Sequence, residues 1–263
     1  MKQLNLAYAP GFAVYPAVDP LGYIFGEDVF GPVPECRHLD DIRASLSDPD
    51  AKGPDVLYAI VMDIGKKKDR EKIIEHNLVY GSVVYAAGTI GNAPIHSQGH
   101  IHSVSASCGM STGELYEFWS GHAIIYMQET AKDNPGRCYA IEAGPGDLVL
   151  VPPYWAHCTV VTDFRENFSF GCWSVRDYGF DYKDVRAHQG MAYMPFVKDG
   201  QVMFERNPKY DAPALERRKP RKYTEFHLEE GKTIYEQFEE EPGRFDFISH
   251  PQNYMDAWKE YRP

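Results

Sequence analysis

At 263 residues the chain is long enough for one sizeable core with extensions, and its length alone does not call for two full domains. Its 43% hydrophobic and 25% charged residues are the composition of a globular protein, which sets aside the disordered, collagen-like and membrane-spanning classes. A formal net charge of −11 argues against nucleic acid as a partner, because backbone binding needs clustered Lys and Arg, and the runs Lys66-Lys67-Lys68 and Arg217-Arg218-Lys219 are short enough to read as solvated surface.

The first residues, Met1 to Leu6, hold no long apolar stretch and Pro10 follows early, so no signal peptide is expected and the cytoplasm is the expected compartment. Residues 1–55 are rich in Pro and Gly, with one short helical candidate at 40–46, and are expected to form an N-terminal arm that wraps a core. From 56 to 182 the texture changes to short apolar runs between turn signals: 57–64, 78–86, 122–128, 138–142, 148–151, 159–162 and 168–175. Strands of this length and spacing predict an all-β sandwich or barrel. The charged stretch 66–76 is expected to be a short helix or a loop. Residues 183–263 turn polar, with Pro208, Pro213, Pro220 and Pro242 and the cluster Glu239-Glu240-Glu241, and are expected to form a C-terminal extension with a helix near 254–261. No segment approaches the ~20 apolar residues that span a bilayer, so no membrane partner is expected. The five cysteines are widely spaced without a C-x-x-C pair, so reduced thiols are expected.

Chemistry concentrates in Gly99-His100-Ile101-His102. In a strand, residues i and i+2 share a face, so His100 and His102 would project together as a bidentate claw for a divalent metal. In the run Gly113 to Trp119, alternation places Glu114, Tyr116 and Phe118 on one face and Leu115, Glu117 and Trp119 on the other. Gly121 then marks a turn. Further on, Gly146 opens a turn and buried strand, Pro152-Pro153 makes a corner, and His157 begins the next strand. His96 lies close enough to this region to contact a substrate.

These pieces resemble the two motifs of the cupin superfamily, H-x-H…E-x6-G and G-x5-P-x-G-x2-H. The first is matched at His100, His102, Glu114 and Gly121, the second at Gly146, Pro152 and His157, with Tyr154 replacing its last glycine. The resemblance implies a double-stranded β-helix, a jelly-roll barrel, with one divalent metal inside on His100, His102, Glu114 and His157. The segment 103–113 is longer than the usual motif allows and must bulge out between strands, which makes Glu117 a rival ligand; strand alternation and the spacing to Gly121 favour Glu114.

A narrower resemblance rests on Ser97-Gln98-Gly99-His100-Ile101-His102, Gly113-Glu114-Leu115-Tyr116 and the string from Val151 to Val160. Together they look like the cupin-type glucose-6-phosphate isomerases of archaea and some bacteria, over about residues 56–182. That family implies a homodimer, Fe2+ or Mn2+ with Zn2+, Ni2+ or Co2+ as alternatives, and a phosphorylated sugar as substrate. Carried over by position, the phosphate would meet Ser82 and Ser97 beside Gly99, and Tyr116 and Tyr182 would be active-site tyrosines. Where the family often has a His two residues before Tyr182, this chain has Phe180.

The residues fit two routes for isomerisation: proton transfer with Glu114 as base, or a hydride shift with Tyr116 or Tyr182 moving protons between oxygens. The same ligand set also serves other cupins. It leaves open an isomerase of another anionic sugar such as mannose 6-phosphate or a sulfo-sugar, a dioxygenase, or a non-catalytic sugar-binding cupin. The hydroxyls of Ser82, Ser97, Tyr116 and Tyr182 favour a polyol.

Overall fold

A computed structural model describes residues 1–263. Two sheets face each other. The larger has six antiparallel strands in the order Leu148–Val151, Glu114–Ser120, Phe168–Val175, Leu78–Tyr85, Val56–Met62 and Glu35–His38. The smaller runs Ala156–Val161, Ala123–Gln128, Cys138–Ala143 and Leu215–Arg218, the last pairing parallel to its neighbour. Between them lies an apolar interior that includes Tyr58, Val83, Tyr85, Tyr116, Phe118, Ile125, Ile141, Val151 and Phe170. This is the jelly-roll cupin barrel, and the strands fall close to their expected places.

Both outer faces are also covered. Trp119, Trp173, Tyr80 and Leu115, on the outside of the larger sheet, pack with Phe226, Tyr235, Phe238, Phe245 and Phe247 from the C-terminal residues. Outside the smaller sheet, Tyr126, Ala140 and Cys158 pack with Val185, Met191, Val202 and Tyr210. Double coverage explains why Leu78–Tyr85, Glu114–Ser120 and Phe168–Val175 are buried at every position, on both faces of the sheet.

The two extensions are more regular than their composition implies. The Pro- and Gly-rich first segment forms the hairpin Val14–Asp19 and Leu21–Phe25 and supplies Glu35–His38 to the barrel sheet. The last segment supplies Leu215–Arg218 and the helix Ile234–Glu240, whose Thr233 cap and Glu236 form a capping box. The free edge of the larger sheet, Leu148–Val151, is met by two phenols. The Leu150 N–H donates to the Tyr223 hydroxyl at 3.0 Å, and Tyr261 donates to the Leu150 carbonyl. No helix is long and apolar enough to cross a membrane.

One buried carboxyl joins an extension to the barrel. Glu117, on the outward face, accepts from the Ile234 N–H at 2.8 Å and from the Trp119 indole at 3.1 Å. Burial pushes its carboxyl up from 4.5 to about 8, against the pull of these two donors. Between those two values the folded chain keeps a proton that the unfolded chain releases, so stability falls as pH rises through the window and levels off above it. Chemical denaturation at pH 5 and pH 8.5 should show the wild type losing on the order of 3 kcal/mol more than Glu117→Gln, which has no proton to release. Equal losses in both proteins would mean that Glu117 is already ionised at the lower pH.

Candidate metal centre

His100 and His157 sit opposite each other on neighbouring backbones. The His100 N–H donates to the His157 carbonyl at 3.1 Å, and the His157 N–H donates back at 2.9 Å. His102 lies in the two-residue strand Ile101–His102, directly across from Phe180. Glu114 opens the strand Glu114–Ser120 opposite Val151. One donor atom from each of His100, His102, Glu114 and His157 lies within 4.8 Å of the others.

The motif glycines have a backbone reason. Gly121 and Gly146 hold φ of 72° and 86°, where a Cβ is strained. Tyr154, which stands where the motif has its last glycine, also adopts a positive φ of 70°. Its N–H donates to the Ser111 hydroxyl at 2.9 Å, and Ser111 in turn donates to the His102 carbonyl at 2.7 Å. The long 103–113 segment therefore folds back and ties the corner holding Tyr154 to the backbone of a candidate ligand.

The donor set fits a divalent first-row metal. Nδ1 of His100 faces the Gln98 carbonyl and Nδ1 of His157 faces the Trp155 carbonyl, each at 3.1 Å. Donating there fixes the tautomer that leaves Nε2 with its lone pair. The Nε2 atoms of His100, His102 and His157 are buried without a hydrogen-bond partner, a cost that a shared cation would remove. Burial and the neighbouring imidazoles hold His100 well below its ordinary range, and burial lowers His157 as well, so both are neutral and ready to coordinate. Burial pushes the Glu114 carboxyl up, but His102 and His157 outweigh it and hold the group well below the usual carboxylate range.

Three close contacts of Glu114 fall on one oxygen, and the Cys172 thiol also lies within hydrogen-bond reach of this carboxylate. Oε2 lies 3.2 Å from His102 Nε2 and 3.4 Å from His157 Nε2, and it accepts from the Tyr116 hydroxyl at 2.6 Å. Burial and the Glu114 charge raise Tyr116 well above the ordinary phenol range, so it stays a proton donor. Glu117 points to the opposite side of the sheet and is no rival ligand.

A cavity opens onto this cluster. Tyr116 and Tyr182 line it, as does Ser97, whose hydroxyl accepts from the Thr159 N–H at 3.0 Å. Phe180 sets its ring edge-on to His100, with centroids 4.7 Å apart. Two expected substrate contacts, Ser82 and His96, are corrected. Ser82 faces away, under the N-terminal hairpin; its hydroxyl accepts from Tyr23 at 2.9 Å and donates to the Phe170 carbonyl at 2.7 Å, while its neighbour Val83 lines the cavity. His96 lines a different hollow beside Leu46 and Met194. Gly99 turns its Cα toward Met191, where an added Cβ would sit 2.3 Å from sulfur, so its smallness serves packing. Sequence reasoning missed Arg37, Tyr58 and Gln98 in the cavity wall. Tyr58 and Gln98 fall within expected barrel segments, but Arg37 lies in a stretch without β-sheet pattern.

Residues 39–213 match the glucose-6-phosphate isomerase family. Among curated relatives, the glucose-6-phosphate isomerase of Thermococcus litoralis is 28% identical over 180 residues, covering 66% of this chain and 86% of the relative. That of Thermococcus kodakarensis is 28% identical over 176 residues with the same shares covered. The enzyme of the same name from Pyrococcus abyssi is 29% identical over 151 residues, 57% of this chain and 73% of its own. The matched span carries all four clustered donors together with Tyr116 and Tyr182 of the cavity wall, and the chain belongs to the glucose-6-phosphate isomerase family.

Proposed function

We propose that the protein is a metal-dependent aldose-ketose isomerase that interconverts glucose 6-phosphate and fructose 6-phosphate, with one Fe2+ or Mn2+ ion held by His100, His102, Glu114 and His157. The observation that carries this reading is the cluster of three unpartnered imidazole nitrogens and one carboxylate at the floor of a tyrosine-lined cavity. Residues 56–182 form the catalytic barrel in this reading, and the segments on either side complete its sheets and cover them. A homodimer follows from the resemblance of the motifs. The cytoplasm suits five cysteines that are all unpaired.

When bound, a divalent ion supplies Lewis-acid polarisation of the sugar carbonyl and its neighbouring oxygen. The remaining work falls to side chains. Glu114 is ionised and directs Oε2 toward the imidazoles, which leaves Oε1 outside those contacts and able to accept the proton from C2. Tyr116, donating to the same carboxylate, orients it and holds a proton within reach of the substrate oxygens. Tyr182 is also un-ionised, raised by burial against the opposing charges of Arg37 and Arg186, and offers a second hydroxyl. Phe180 occupies the place of a histidine in many relatives of this type, so proton handling here rests on Glu114 and the two tyrosines.

An assay on a panel of phosphorylated aldoses and ketoses, after chelation and reconstitution with single metals, tests the reading. Interconversion of glucose 6-phosphate and fructose 6-phosphate should disappear on chelation and return with Fe2+ or Mn2+. If the metal-loaded protein turns over no sugar phosphate, the reading fails.

A further inference from the structure

The cavity wall carries two residues that no motif accounts for. Arg37 and Glu35 belong to the outermost strand of the larger sheet, and Arg37 is the only basic side chain lining the cavity that holds His100 and Glu114. It pairs directly with Tyr58 across the antiparallel ladder, which puts both side chains on the inward face. Tyr58 also lies beside the backbone of Gln98, next to Ser97, so Arg37, Tyr58 and Ser97 border one continuous part of the wall. The guanidinium is about one quarter exposed and is held by Glu35 at 2.9 Å, whereas the Glu35 side chain is 66% exposed.

We infer that Arg37 is the anion anchor of this cavity, its guanidinium taking the substrate phosphate at the end of the sugar away from the histidine cluster, with Glu35 holding that position until the phosphate displaces it. The inference rests on the sugar-phosphate isomerase reading. A planar guanidinium presents paired N–H donors that match two phosphate oxygens, and the same fork is what a carboxylate occupies. Glu35 is solvated, so it gives up the pairing at little cost. Ser82, the hydroxyl expected on this role, is turned away and fully used, which leaves the anion end of the cavity to Arg37 and Ser97. An acidic protein thereby offers a local positive site for a dianion.

The test compares wild type, Arg37→Met, Arg37→Lys and Glu35→Gln, each loaded with metal. Two readouts are used: the Michaelis constant for the sugar phosphate, and direct calorimetric binding of inorganic phosphate. In Arg37→Met both should weaken by about 30-fold or more while kcat stays within about threefold, as expected for loss of a hydrogen-bonded charge pair that acts alike in ground and transition states. Arg37→Lys should recover part of the loss, because it keeps charge without the fork. Glu35→Gln should bind phosphate more tightly than wild type, since a competing carboxylate is gone. The anchor is overturned if Arg37→Met binds inorganic phosphate as the wild type does. It is equally overturned if Glu35→Gln weakens phosphate as much as Arg37→Met, which would mark the pair as structural. Should no sugar phosphate turn over in wild type, the isomerase reading falls, and phosphate calorimetry still decides the anchor.

Discussion

Replacing His100 and His102 together by alanine is expected to strip the protein of its divalent ion and to reduce isomerase activity by several orders of magnitude, while the barrel stays folded. In the proposed site three imidazoles and one carboxylate would share the ion, and removing two leaves a pair of donors that cannot compete with water and buffer. Each single alanine variant, His157→Ala included, should weaken metal binding by at least about 100-fold, more than the loss of an outer partner typically costs. Folding should survive because the interior between the sheets is built from apolar residues such as Phe118, Ile125 and Phe170, which do not depend on the ion. Metal analysis on the purified variants, with circular dichroism alongside, measures both halves. Full occupancy in the double variant would remove the site assignment.

The second large effect separates two glutamates three residues apart. Glu114→Gln should lower kcat by about 10³-fold, within the range that a positioned acid or base contributes, because an amide neither accepts the C2 proton nor balances the ion's charge. Glu117→Gln should leave kcat within about threefold, since that carboxyl sits on the opposite face against Ile234 and Trp119. Tyr116→Phe should fall between them, having lost the 2.6 Å hydrogen bond that orients the carboxylate. Steady-state kinetics on metal-loaded protein decides it. A large loss in Glu117→Gln with a mild one in Glu114→Gln would mean the strand is shifted by one residue from the register described.

Much of this site was legible in the sequence because a strand repeats every two residues. His100 and His102, then Glu114 and Tyr116, are spaced so that each pair shares a face, and the paired backbones of His100 and His157 complete the set. The same rule would have corrected one error. His96 and Ser97 are adjacent in an extended segment, so they could not both face the cavity, and only Ser97 does. Ser82 and Val83 stand in the same relation, but their strand is buried on both faces, so hydropathy offers no contrast to show which face is inward. Arg37 was hidden for another reason. Its strand lies within the Pro- and Gly-rich segment that reads as an arm, and only the pairing of Glu35–His38 with Val56–Met62 carries it to the cavity. The helix Ile234–Glu240 is likewise set by its packing on Trp173 and Tyr80, contacts that no local pattern reveals.

The two phenols on Leu150 bear on how copies of this chain behave toward one another. A sheet margin normally presents a row of unsatisfied amide and carbonyl groups that can recruit a strand from another molecule, the first step toward fibrils. Here Tyr223 and Tyr261 consume the outward-facing pair at Leu150. They come from different parts of the C-terminal segment, and their rings are nearly parallel with centroids 6.5 Å apart. The segment thus acts as a selvedge on the weave, occupying the amide and carbonyl of Leu150 that a strand from another copy would need.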